Sequence, residues 1–125
     1  MGSEIKSYRD LVAWQRAFAI GKQIYRISTR FPDAERFGLT SQIRRCDISM
    51  ASNIAEGYGR GSTADYIRFL KVSRGSLYEL DTQLLFALDF GYAEQREYDD
   101  TKASLDECER VLAGLIRSLE SKSGT

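Results

Sequence analysis

S-N-I-A-E-G-Y-G-R-G-S, residues 52–62, ends one helix and begins another. Its three glycines, Gly57, Gly59 and Gly61, can adopt the positive φ angles that stop a helix without a Cβ clash. Ser62 then offers a hydroxyl to the free amides of the next helix, and Asp65, three residues on, is placed to complete a capping box. Four groups able to bind a ligand or do chemistry, Asn53, Glu56, Tyr58 and Arg60, crowd this corner.

On the N-terminal side of the corner the spacing predicts a helix over about 39–58, capped by Thr40 or Ser41. Leu39, Ile43, Cys46, Met50, Asn53 or Ile54, and Gly57 fall on one side of it. Asn53 shares that apolar stripe, so its amide needs a hydrogen-bond partner or costs roughly 1–3 kcal/mol. On the C-terminal side, a helix over about 63–90 carries Tyr66, Leu70, Ser73, Leu77, Leu80, Leu84 and Ala87 at alternating gaps of four and three, with Gly91 as its stop. Gly75 and Ser76, in its middle, leave room for another backbone to come close.

A first helix is predicted over about 8–31. It has two apolar stripes: Leu11, Trp14, Phe18, Gly21 and Tyr25, and beside them Ala13, Ala17, Ile20, Ile24, Ile27 and Phe31. Together they are wider than one neighbouring helix can cover, so this helix lies deep in the fold or meets another subunit. Pro32 opens the polar connection that follows. The last helix, over about 94–119, repeats Tyr98, Thr101, Leu105, Cys108, Leu112, Leu115 and Leu119, with acids in its first turns where the helix dipole favours them. A frayed tail is expected from residue 121. Four helices with short connections read as one all-α domain spanning 1–125, an antiparallel up-down-up-down four-helix bundle.

The composition agrees with this and narrows the chemistry. Apolar residues make up 42% and charged residues 29% of the chain, and one proline leaves nearly every segment free to be helical. The absence of histidine removes the commonest general base and metal ligand. Cys46 and Cys108 stand far apart, belong to no CxxC pair, and fall on packed stripes where a thiol acts as a small hydrophobe. No apolar run reaches the roughly 20 residues of a membrane span. M-G-S-E-I-K lacks a signal-peptide core, and Lys6 stands where myristoylation needs Ser or Thr. The expected location is the cytoplasm, with no membrane partner and no cofactor.

The chain is neutral, but residues 1–74 carry a net +6 and residues 75–125 a net −6. That split either makes a basic face for phosphates or pairs helices within the bundle. Arg44, Arg45, Arg60, Arg68, Lys71 and Arg74 are the candidate nucleic-acid contacts, diluted by Asp47, Glu56 and Asp65. Trp14, Tyr8, Tyr58 and Tyr66 offer stacking surfaces, although their spacing suits core packing. Glu56 and Glu79 are candidate inward carboxylates, but no Glu-x-x-His motif accompanies them and no metal site is expected. G-Y-G-R-G lacks the phosphate-loop spacing and reads as a helix stop followed by a cap, with Arg60 free to meet a phosphate or Glu56.

Y-R-D-L-V-A-W-Q-R-A at 8–17, L-T-S-Q-I-R-R at 39–45, S-N-I-A-E-G-Y-G-R at 52–60 and G-S-L-Y-E-L at 75–80, in that order, resemble the four-helix-bundle proteins encoded within intervening sequences of bacterial 23S ribosomal RNA genes. The resemblance runs from about residue 8 to 119. It implies a bundle that assembles as a homopentamer, in a family that includes the accessory variability determinant of diversity-generating retroelements. That relative is strongly basic and binds nucleic acid, whereas the present chain is neutral. Asn53, Glu56, Gly57 and Arg60 match the family signature, as a structural or ligand-binding corner, and no catalytic residue carries over. The expected function is a non-enzymatic homo-oligomeric adaptor binding RNA or a ribonucleoprotein. The alternative is a protein-interaction scaffold without nucleic acid. A corner enzyme lacks the base and nucleophile it would need.

Overall fold

The computed structural model describes residues 4–122. Among them are four helices and no strand: α1 (Val12–Ser28), α2 (Leu39–Gly59), α3 (Thr63–Asp89) and α4 (Gln95–Lys122). Backbones approach closely between α1 and α2, α2 and α3, α3 and α4, and α4 and α1, while the diagonal pairs stay farther apart. The helices therefore form a closed four-membered bundle. Ile20, Ile24, Ile43, Met50, Ile54, Leu70, Leu80, Leu84, Leu105 and Leu112 fill its centre, each less than 2% exposed.

Neighbours meet in opposite numerical order. Arg16 pairs with Glu107 and Arg30 with Glu97 across α1 and α4; Lys71 pairs with Glu120 and Lys102 with Asp81 across α3 and α4. The bonds to Arg16, Arg30 and Lys71 join the basic N-terminal half of the chain to its acidic C-terminal half, so the charge split is spent in part on holding helices together. Such exposed pairs contribute up to about 1 kcal/mol each.

α1 is shorter than its periodicity predicts, at both ends. Ser7 and Asp10 close a capping box around a separate 3₁₀ turn, Tyr8–Asp10, and Leu11 then takes extended angles that cap α1 proper. At the other end Pro32 restricts the residue before it, and the chain tightens through Arg30 N–H to Ile27 (3.2 Å) and Phe31 N–H to Ser28 (3.1 Å). The expected caps Thr40 and Ser41 are not used. Gly38 precedes α2, and the Leu39 N–H donates instead to Glu35 Oε1 at 3.0 Å. Ser121 and Lys122 continue α4 rather than fraying; residues 1–3 and 123–125, where the leader and tail expectations also fall, lie outside the described residues.

From Leu70 to Ala87 the α3 seam is buried as its spacing requires, Ser73 included, whose hydroxyl donates to the Met50 carbonyl at 2.8 Å, while Tyr66 at its start is half-buried. In α4 the seam drifts: Ile116 is buried, and Leu115 and Leu119 flank it half-buried. Of the two α1 stripes, the one from Ala13 to Phe31 enters the core. The other stays partly open, with Phe18 49% and Tyr25 40% exposed.

Candidate functional site

The glycines of the corner divide their work. Only Gly61 has a positive φ, +81°, so it alone makes the turn. Gly57, expected as a helix stop, lies buried inside α2, where a Cβ would stand 2.6 Å from the Phe69 Cβ and 3.3 Å from the Tyr66 carbonyl oxygen. Its missing side chain is the space through which α3 passes. Above this crossing Tyr58 and Tyr66 meet edge to face at 6.0 Å, and the Tyr66 hydroxyl is buried without a partner.

The polar corner residues are bound to one another. Arg60 lies 3.6 Å from Glu56 and 3.9 Å from Asp65, and Arg68 lies 3.5 Å from Asp65. Both guanidinium groups stack over Phe69, at 5.2 Å and 4.6 Å. Ser62 accepts from the Asp65 N–H at 3.2 Å, but the Asp65 carboxylate faces the arginines, leaving the capping box half made. Asn53 finds the partners its burial demands in the Ser49 carbonyl (2.8 Å) and hydroxyl (2.9 Å). Ser49 bonds Ser76 at 3.1 Å and Cys46 donates to the Ser76 carbonyl at 3.0 Å, so small polar side chains stitch α2 to α3. Gly75 takes no part in this, its Cβ position being open.

The basic candidates do not form one face. Arg60 and Arg68 come together at the corner. Arg44 turns toward α1, donating to the Ser28 hydroxyl at 2.7 Å and lying 4.5 Å over the Tyr25 ring. Arg45 bonds Ser41 at 3.2 Å, Lys71 reaches α4, and Arg74 is half-buried on α3. Glu56 and Glu79, the candidate inward carboxylates, are both exposed.

The buried carboxylate is instead Asp47, 2% exposed, whose Oδ1 has no hydrogen-bond partner. Burial pushes its pKa up to about 7. Ile43, Asp47, Met50 and Ile54 keep gaps of four, three and four, so the core register was readable at this position; Cys46, one residue earlier, fits the same stripe and masks it. Gly21 on α1 makes the room, since a Cβ there would lie 3.0 Å from Asp47 Oδ2. Asp47 lines a groove of about 460 Å³ between α1 and α2, together with Trp14, Phe18 and Tyr25. The two thiols are buried, and burial pushes each up to about 12, far from the reactive thiolate form.

Among the described residues no group of three or more His, Cys, Asp or Glu side chains could hold a metal ion, and no helix is long and apolar enough to cross a membrane.

No curated protein is significantly similar to the chain. Among solved structures, a protein of unknown function from the S23 ribosomal protein family of Bacteroides thetaiotaomicron is similar in fold: TM-score 0.78 at 20% identity, over 85% of this chain and 96% of that one. Residues 9–114 match the family model for the 23S rRNA-intervening sequence protein. That match spans the Gly57 crossing and most of all four helices, and it shows that the chain belongs to the 23S rRNA-intervening sequence protein family.

Proposed function

We propose that the chain is a non-enzymatic cytoplasmic adaptor that assembles with copies of itself, as a ring of five, and binds RNA or a ribonucleoprotein. The observation that carries self-assembly is the outer side of α3, opposite its core seam. Tyr78 and Leu85, seven residues apart, and Phe86 and the C-cap Phe90, four apart, lie there with Val72, each between 46% and 54% exposed, and the Phe86 and Phe90 rings lie 5.7 Å apart. Gly75 falls on the same side with open space above it, room for a second backbone. An apolar stripe of this kind on a polar bundle suits a second copy of the chain. The number five comes from the family resemblance. Two free, buried thiols suit a reducing compartment.

The nucleic-acid part of the reading rests on Arg60 and Arg68, brought together over Phe69 at an exposed corner. Fluorescence anisotropy with a mixed RNA pool tests it. Binding at low salt that weakens steeply as salt rises, and weakens further in Arg60→Gln/Arg68→Gln, is expected. Absence of binding at low salt would leave the second reading, a protein scaffold, which is favoured by the ion pairing of Arg60, Arg68 and Lys71 with acids of the same chain.

A further inference from the structure

We propose that the α1–α2 groove is a binding site for a small organic ammonium ligand, with the Asp47 carboxylate taking the charged head and Trp14, Phe18 and Tyr25 flanking its apolar body. The groove shares no residue with the outer stripe of α3 and meets the corner only at Ser52 and Ala55, neither of which belongs to the arginine cluster, so it stands independently of the function proposed above.

Asp47 is a nearly fully buried carboxylate with an unpartnered oxygen on the wall of an open groove. A core position left to itself favours an apolar side chain, because a buried acceptor without a donor is costly. Gly21 keeps the space in front of this one clear. Aromatic rings form part of the remaining wall, beside Ile48 and Ala51, and Trp14 stacks on Phe18 at 4.8 Å, with their ring planes 18° apart. Ring faces attract cations, most strongly where water is excluded. A volume of about 460 Å³ suits a small molecule with an apolar body. One buried acceptor among aromatic rings selects a single ammonium over a carboxylate, a phosphate or a neutral alcohol.

The charged and titratable groups around Asp47 are Tyr8 on the 3₁₀ turn, Lys22 and Tyr25 on α1, and Arg44 and Cys46 beside it on α2. Lys22 lies over the Phe18 ring at 5.1 Å and makes no ion pair with Asp47 among the described residues. The chain has no histidine, so a binding change between pH 6 and 8 that is lost in Asp47→Asn reports Asp47 rather than the α-amino group. Ionisation of the carboxylate should make the ammonium bind about tenfold more tightly at pH 8 than at pH 6.

Trp14 is the only tryptophan and lines the groove, so its fluorescence reads occupancy. The probes are 2-phenylethylamine and its neutral counterpart 2-phenylethanol, titrated into the full chain and into Asp47→Asn and Lys22→Gln. The expected result is saturable binding of the amine at least tenfold tighter than of the alcohol, reduced to the alcohol's level by Asp47→Asn and retained in Lys22→Gln. Circular dichroism verifies the fold of each variant, and the amine–alcohol comparison on the unaltered chain needs no variant. Equal affinity for the two probes, unchanged amine binding in folded Asp47→Asn, or no saturable response to millimolar amine would overturn the proposal.

Discussion

Gly57 of α2 and Phe69 of α3 stand so close that a Cβ on the glycine would lie 2.6 Å from the Cβ of the phenylalanine. The backbone of α2 touches its neighbour directly at this point, and the tyrosine pair and the arginine cluster are built around the crossing. The signature corner is first of all a place where two helices cross.

Gly57→Ala should therefore destabilise the protein by about 1–3 kcal/mol, the usual cost of overpacking, although alanine is the better helix former. Gly57→Val should cost more. Gly59→Ala, where a Cβ meets nothing, should be neutral or stabilising by up to about 1 kcal/mol. Urea denaturation separates the two positions, and equal effects at both would contradict the crossing.

The arginine cluster should matter less to the fold than the glycine beneath it. Arg60 and Glu56 side chains are 45% and 55% exposed, and exposed pairs of this kind contribute up to about 1 kcal/mol. Arg60→Ala and Glu56→Ala should each lower stability by less than that, with the loss shrinking as salt is added. A loss at either position as large as that of Gly57→Ala would show that the ion pairs, and not the helix crossing, hold the corner.

Asp47 gives the stability a pH dependence of definite sign. Burial raises its folded pKa from an ordinary value near 3.8 to about 7. Between those values the folded chain holds a proton that the unfolded chain releases. Its contribution is complete below pH 4 and is lost as pH rises through about 7. Asp47→Ala should remove this fall and be more stable than the parent at pH 8, by roughly 2–4 kcal/mol. Melting curves at pH 5 and pH 8 test it, and a parent protein equally stable at both, relative to the variant, would contradict the buried carboxylate.

Helix identity was legible because the buried positions repeat: the α3 run from Leu70 to Ala87 and the Ala13-to-Phe31 stripe both lie in the core. Helix ends were less legible, because they depend on competition between local bonds. Ser7 and Asp10 close a turn of their own before α1, and Glu35 caps α2 from the preceding loop, a partner that spacing alone does not reveal. Gly57 shows the same limit. A glycine near a helix end reads as a stop, and only the neighbouring helix shows that it is a contact. The Asp47 groove escaped notice because an acid beside two arginines reads as surface charge, while the opposing Gly21 lies on another helix.

The central claim is that the chain assembles with itself through the outer side of α3. Light scattering coupled to size exclusion, on the parent chain and on Phe86→Glu/Phe90→Glu at micromolar concentration, tests it most directly. The account predicts a closed oligomer, five chains by the family resemblance, for the parent and a helical monomer for the variant, since both rings are about half exposed and charging them spares the core. A parent chain that elutes as a monomer, or a variant that assembles as the parent does, would contradict it.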